Sequence, residues 1–361
     1  MATAPPAPTP RLASVDALRG LTVAAMLLVN NPGDWGHVYA PLLHAHWHGF
    51  TATDLIFPLF LFIVGVSLSL ALGRQLDKGV ASADLLLPVL ARAARIVGLG
   101  LLLHLCAWWA FDLEHYRVMG VLQRIGLCYL AAAAIALWLP ARSQWVLLLA
   151  LLAGYAGLLG WGGSLAPLDN IASRIDTAVL GVHLYEYEAI GGRGHDPEGL
   201  VSTLGALATT LLGLRAGDWL RCGHAKRLPL AAIVLLAAGA AWATWLPLNK
   251  NLWTPSYVLW SGGLACALLA LCHWRVDVRG GPPLGRAFGV NAIAAYAGSA
   301  FMLYGLVAAG WLEPLYRHGF ADWMTPRFGP YLPSLAYALV FVALWWGVVR
   351  WLDARRIYFK V

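Results

Sequence analysis

The sequence predicts an all-α protein, a polytopic bundle of about ten transmembrane helices with both termini on the cytoplasmic side. Three observations predict it. Of 361 residues, 60% are hydrophobic and 12% charged, against about 25% charged in soluble domains, and mean hydropathy is +0.66. The apolar residues fall into stretches of about 20, the length that crosses a bilayer as a helix. Arg and Lys concentrate in every second loop, which sets both span count and direction. Strand alternation is absent, and a lipid-exposed backbone must satisfy its hydrogen bonds internally.

Ten stretches qualify: 15–33, 54–73, 85–109, 119–139, 143–163, 199–219, 228–247, 254–274, 289–310 and 331–352. They are expected to form a single transmembrane domain over 1–361. Residues 1–13 read as a flexible Pro/Ala-rich cytoplasmic tail without the pattern of a cleaved signal. With the N-terminus inside, the basic loops 74–78, 215–227 and 275–286 are cytoplasmic. The outer loops are poor in bases, and the longest of them, 164–198, is acidic. A net charge of +7 invites a nucleic-acid partner. The bases are instead spread over short loops, as topology-setting residues are. Cys106, Cys128, Cys222, Cys266 and Cys272 lie within or at the inner edge of apolar segments, so no disulfide framework is expected. No internal repeat and no clear GxxxG face stands out, and the oligomeric state stays open, a homodimer included.

The richest segment is 27–58. The first span ends at Asn30-Asn31-Pro32-Gly33, a loop with His44, His46 and His48 follows, and Thr51-Ala-Thr-Asp54 opens the second span. Thr51 or Thr53 reads as a helix cap, with Asp54 either at the positive helix end or in a direct role. Three histidines at i, i+2, i+4 are compatible with a metal if Asp34 or Asp54 joins them. The favoured reading is one catalytic imidazole and no metal, because an imidazole titrates near neutral pH and can take a proton from an amine or hydroxyl. Among ionisable residues inside spans, Arg124, His104, Arg92 and Arg95 are candidates for a lined cavity. Arg92 and Arg95 read rather as helix-pairing or snorkelling side chains.

The run Ser14-Val-Asp16-Ala-Leu-Arg19-Gly20, then Val29-Asn30, then His44-Ala-His46-Trp47-His48-Gly-Phe-Thr51-Ala-Thr53-Asp54-Leu-Ile-Phe-Pro58 resembles the catalytic region of the heparan-α-glucosaminide N-acetyltransferase family, and among relatives looks closest to its bacterial NagX-type members. Weaker matches are Gly120-Val-Leu-Gln123-Arg124, Asp196-Pro-Glu198-Gly199, Asn249-Lys250-Asn251-Leu-Trp253, Gly289-Val-Asn291 and Arg356-Ile-Tyr-Phe-Lys360-Val. The resemblance covers nearly the whole chain. It implies a multi-pass protein of the bacterial inner membrane. Such a protein moves acetyl groups from cytoplasmic acetyl-CoA to the amino group of a glucosamine-type acceptor at the outer face. The family's catalytic histidine falls on His44 and its partner asparagine on Asn30. The Asn-to-His loop is longer here than in the animal enzyme, so Asn31 competes with Asn30.

On this reading His44, Asn30 and Asp54 are catalytic, and Asn31, Trp47, His48, Gln123, Arg124, Glu198 and Lys250 meet the acceptor. The phosphates of CoA suit the inner arginines Arg74, Arg215, Arg275, Arg279 and Arg286. A thioester oxygen gaining charge needs donors, a task that suits Asn30. His44 acts either as a base or as an acetyl carrier, and the sequence leaves both open. The competing function is a sugar permease, which commonly shows inverted repeats and paired broken helices that the sequence lacks.

Overall fold

The computed structural model describes residues 12–359. Most of the expected N-terminal tail, with Arg11, and the terminal Lys360 and Val361 lie outside the described residues. In chain order the elements are α1 (Ala13–Asn30), α2 (Thr53–Asp77), α3 (Ser82–Ala110), α4 (Val121–Trp138), α5 (Ala141–Trp161) and α6 (Ile171–Leu180). After a hairpin of β1 (Glu186–Glu188) and β2 (Arg193–His195) come α7 (Thr203–Arg221), α8 (Arg227–Ala243) and α9 (Pro255–Val278). A short α10 (Arg286–Val290), α11 (Ala292–Ala308), α12 (Leu312–Phe328) and α13 (Tyr331–Ala354) complete the chain.

The chain is a helical, multi-pass membrane protein, and each of the ten apolar stretches contains a helix. The count of ten spans is not reproduced. Among the described residues, seven helices are by length and composition fit to cross a membrane, or up to eight if α11 and α12, bent by 103°, form one broken span. The shortfall has a physical reason in α7. It is buried on nearly all sides, and its Thr209, Thr210, Arg215 and Asp218 face protein, so the helix has little need of apolar side chains. The long loop 164–198 is not irregular either. Asn170 caps α6 by accepting from the Ser173 N–H at 2.8 Å, and Glu186 to Glu188 pair antiparallel with Arg193 to His195.

Helices α2 and α7 form the centre and run parallel, since Phe62 meets Gly213 and Ser69 meets Gly217. A Cβ on Gly213 would lie 1.9 Å from the Phe62 carbonyl oxygen, and one on Gly65 would lie 2.0 Å from that of Thr210. Gly213 and Gly217 are therefore a small-residue stripe that lets two backbones touch. The sequence contains this spacing, but only the fold shows that it is spent inside the chain.

At one end of this pair Arg221 bonds Asp77 and Asp218, Ser14 bonds Asp277, and Arg19 donates to Asp16 at 2.9 Å and Ser67 at 2.8 Å. At the other end lie His44, Asp54, Glu198 and Lys250. From Asp54 to Ser69 along α2 the separation is about 22 Å at 1.5 Å per residue.

Candidate active site

Helix α1 stops at Asn30 because Pro32 disfavours helical geometry in the residue before it. Asn31 turns back and donates to the Leu27 carbonyl at 2.8 Å, closing the helix end. The loop that follows is pinned to α13, where Ser334 accepts from the Asp34 N–H at 3.1 Å and donates to the Asp34 carbonyl at 3.0 Å.

The hub of the loop is Asp54, whose side chain is 1% exposed. One carboxylate oxygen accepts from Ala45 N at 3.1 Å, Thr51 N at 2.9 Å and Thr51 Oγ1 at 3.0 Å. The other lies 2.6 Å from His44 Nδ1. The expected cap by Thr51 or Thr53 is absent, for neither side chain caps the helix start. The carboxylate instead gathers donors from the preceding loop. An ionised carboxylate only accepts, so His44 Nδ1 carries the proton and Nε2 presents its lone pair. Lys250 Nζ stands 3.3 Å from that lone pair.

A cavity of about 660 Å³ opens beside this pair. Its mouth is polar, formed by Asn30, His44, Thr53, Glu198 and Lys250. Its depth is apolar, walled by Met26, Ile56, Phe57, Phe60, Val121, Leu122, Ile125, Ala292, Ile293 and Tyr296 from α1, α2, α4 and α11. Concave, mostly apolar sites with a few convergent polar groups are where small ligands bind. The two asparagines separate here, because Asn30 lines the cavity while the Asn31 side chain is spent on α1.

Glu198 is held at the mouth by Arg117, a residue the sequence reading passed over as one more loop base. Its guanidinium donates to Asp196 at 2.6 and 2.9 Å and to Glu198 at 2.6 Å, and stacks over Tyr185 at 4.7 Å. Burial alone would raise the Glu198 carboxyl. The cations Arg117, Lys250 and Arg124 overcome it and hold the group down at about 2. Burial pulls Lys250 below the ordinary lysine range, opposed by the nearby Glu198 and Asp54 carboxylates. Burial likewise pushes His195 down to about 4 and Asp176 up to about 6.

Other expected contacts turn out to be supports. Arg124 is fully buried, donates to the Gly199 carbonyl at 3.0 Å and to Ser202, and lies over Trp253 at 5.1 Å. It fixes the backbone beside Glu198 and does not line the cavity. Gln123 donates to the Val118 carbonyl at 2.9 Å. Trp47 donates to the Leu165 carbonyl at 2.8 Å and packs edge-on against His195. His48 pairs with Asn249 at 3.2 Å. Asn249 is fully buried and accepts from Leu252 N at 2.8 Å, a part that its place in the sequence motif did not reveal. Trp253 closes the same turn with φ 51°, a strained left-handed backbone for a bulky residue, held by its bond to Thr209 at 3.0 Å. The three loop histidines diverge, and among the described residues no cluster of three His, Cys, Asp or Glu side chains is placed to hold a metal.

The expected phosphate-binding arginines are far from this cavity and unequal. Arg215 is buried between Gln144 and Asp218, both at 2.7 Å, and Arg286 pairs with Asp353 at 2.7 Å. Arg279 lies over Trp274 at 4.6 Å, Arg275 is exposed and Arg74 half-buried.

Residues 11–160 match the family profile described as heparan-alpha-glucosaminide N-acetyltransferase, catalytic. The human heparan-alpha-glucosaminide N-acetyltransferase is 29% identical over 354 residues, covering 80% of this chain and 52% of its own length. The mouse protein of the same name is 27% identical over 416 residues, covering 97% of this chain and 60% of its own. The chain thus spans between half and three-fifths of the length of these relatives. His44, Asn30 and Asp54 all fall within the matched residues, and over that region the chain is similar to the heparan-α-glucosaminide N-acetyltransferases.

Proposed function

We propose that this protein is a transmembrane acetyltransferase of the bacterial inner membrane. It takes the acetyl group of cytoplasmic acetyl-CoA and delivers it to the amino group of a glucosamine-type sugar at the outer face. The observation that carries the reading is the His44–Asp54 pair, 2.6 Å apart, at the mouth of a cavity it shares with Asn30. Asp54 orients the ring, Nε2 takes the proton of the attacking amine, and Asn30 donates to the carbonyl oxygen as charge develops there. The apolar depth suits a slender thioester arm and excludes water from the transfer. Arg74, Arg275 and Arg279, at the opposite end and without carboxylate partners among the described residues, suit the phosphates better than Arg215 or Arg286. Glu198 and Lys250 at the mouth meet the acceptor. A covalent relay through Nε2 is the other scheme for the same site.

One observation keeps a permease in view. The 103° break between α11 and α12 is a feature that transporters use, although a single break lacks the paired symmetry of that class. The deciding experiment supplies labelled acetyl-CoA and a panel of amino sugars to the purified protein, intact and as His44→Ala. Labelled N-acetyl sugar from the intact protein, lost in a variant that still binds acetyl-CoA, is the expected result. Full turnover in His44→Ala rejects the site. Sugar flux through proteoliposomes without CoA, and with no acetyl product, rejects the enzyme.

A further inference from the structure

Lys250 and His44 contradict each other as the site stands. The lone pair that must accept a proton faces an ammonium that can only donate, 3.3 Å away. No acceptor amine reaches Nε2 until Lys250 gives up that contact. A second resting place lies beside it: Glu198 lines the same mouth, and Arg117 holds only its Oε2. Lys250 is also the one cationic side chain among the described residues that line the cavity.

We propose that Lys250 is a catalytic electrophile. In the empty site its ammonium covers His44 Nε2; when the acyl donor enters, it swings toward Glu198 and donates to the thioester carbonyl oxygen together with Asn30. This inference rests on the acetyltransferase reading and moves Lys250 from the acceptor sugar, where that reading places it, to the thioester. The atoms balance as follows. The amine nitrogen bonds to the carbonyl carbon, and the π pair moves onto the oxygen, where Lys250 and Asn30 donate to it. His44 Nε2 takes the proton from nitrogen. The pair on oxygen re-forms the C=O bond as the C–S bond breaks, the thiolate leaves with the C–S pair, and the His44 imidazolium returns the proton to sulfur. A cation in a dry site stabilises the developing alkoxide far better than it would in water.

Lys250 must stay protonated, for a neutral amine at that spot would itself capture the acetyl group. The groups around it set that charge: His44 and Asp54 from the loop and α2, Arg117 and Arg124 from the start of α4, and Glu198 before α7, with Tyr296 of α11 on the same cavity wall. Burial works against the charge, and the two carboxylates restore part of it. Turnover should therefore fall as pH rises through a value below the ordinary lysine range.

The test uses the full-length protein, as wild type, Lys250→Met and Lys250→Arg, with acetyl-CoA and glucosamine between pH 6 and pH 10. Lys250→Met should lower kcat by about 10²–10³-fold, the usual cost of removing one such donor, with KM for acetyl-CoA changed only a few-fold. Lys250→Arg should recover at least a tenth of the activity and lose the alkaline fall, because guanidinium does not titrate in that range. Full activity in Lys250→Met overturns the proposal. So does a Lys250→Arg variant as inactive as Lys250→Met while both bind acetyl-CoA normally. If Lys250→Met fails to fold, mass spectrometry of the wild type after labelled acetyl-CoA without sugar decides. An acetyl-Lys250 that is chased into product makes Lys250 a covalent carrier and overturns the electrophile role, and an unmodified Lys250 with the alkaline fall supports it. A wild type that transfers no acetyl group to any amine rejects the acetyltransferase reading itself, which is a different outcome.

Discussion

Asp54→Asn separates what Asp54 does for the fold from what it does for His44. The native carboxylate takes three bonds on one oxygen, from Ala45 N, Thr51 N and Thr51 Oγ1, and one on the other, from His44 Nδ1. An asparagine keeps the first three by placing its oxygen there, which puts its NH₂ group against His44. The amide then donates to Nδ1, the ring proton moves to Nε2, and the lone pair that should receive the amine proton is gone. The loop loses little, since one charge-assisted bond becomes neutral at a cost of about 1 kcal/mol. Placing the amide the other way would set its NH₂ against three donors at once, and two buried N–H groups left unpaired would cost about 2–6 kcal/mol. The first orientation wins on those magnitudes. Tautomer reversal of this kind in a serine protease triad costs about 10⁴-fold, and a loss of at least about 10²-fold is expected here. The assay is single-turnover acetyl transfer beside a thermal melt of the same preparation. Activity within threefold of wild type, in a protein that melts normally, would refute the assigned tautomer.

Two further perturbations test the same geometry. Asn30→Ala should cut kcat about 10²-fold with an unchanged melting temperature. Asn31→Ala should cost about 1 kcal/mol through the freed Leu27 carbonyl and leave kcat nearly intact; the reverse pattern would exchange their roles. Glu198, held at about 2 against an ordinary carboxyl value of 4.5, binds its proton later in the fold than in the unfolded chain. Its contribution is therefore present above pH 4.5 and lost as pH falls from there toward 2. Glu198→Gln should lower the melting temperature at pH 7 and flatten that acid fall, and parallel curves would show that the carboxylate is not held by Arg117.

The helices were legible because bilayer length and loop charge act locally along the chain, and α1, α3 and α5 needed nothing else. Helix α7 shows the limit. Hydropathy measures contact with lipid, and a helix surrounded by protein escapes that measure, as Arg215 and Asp218 show by pairing inside the bundle. The same boundary runs through the site. His44, Asn30 and Asp54 stand in one short motif, so the sequence placed them together. Lys250 and Glu198 reach the mouth from about 206 and 154 residues away along the chain, distances read from their own numbers, and only their motifs marked them. Arg117 carried no motif at all, and its hold on Asp196 and Glu198 is a property of two loops meeting. Gln123, Arg124 and Trp47 stand out in the sequence, but a polar group buried in a membrane bundle bonds the nearest carbonyl as readily as it meets a ligand.

The two ends of the molecule then set the remaining problem. The cavity is lined along α2 as far as Phe60, about 9 Å from Asp54 at helical rise, while Arg74 at the basic end lies roughly 30 Å away by the same measure. A donor held by its phosphates at Arg74, Arg275 and Arg279 must therefore pass its arm between α1, α2 and α11 over the intervening turns. Near the basic end Arg19 of α1 donates to Ser67 of α2 at 2.8 Å; above it the turns are packed by Val23, Leu27 and Phe288, side chains that move by rotamer changes. Small apolar plugs of this kind stop water and protons while yielding to a flexible arm. Under the proposed function, such a plug lets a charged donor be used from one face without leaking protons, and the barrier to transfer lies in the packing between helices, away from the chemistry at His44.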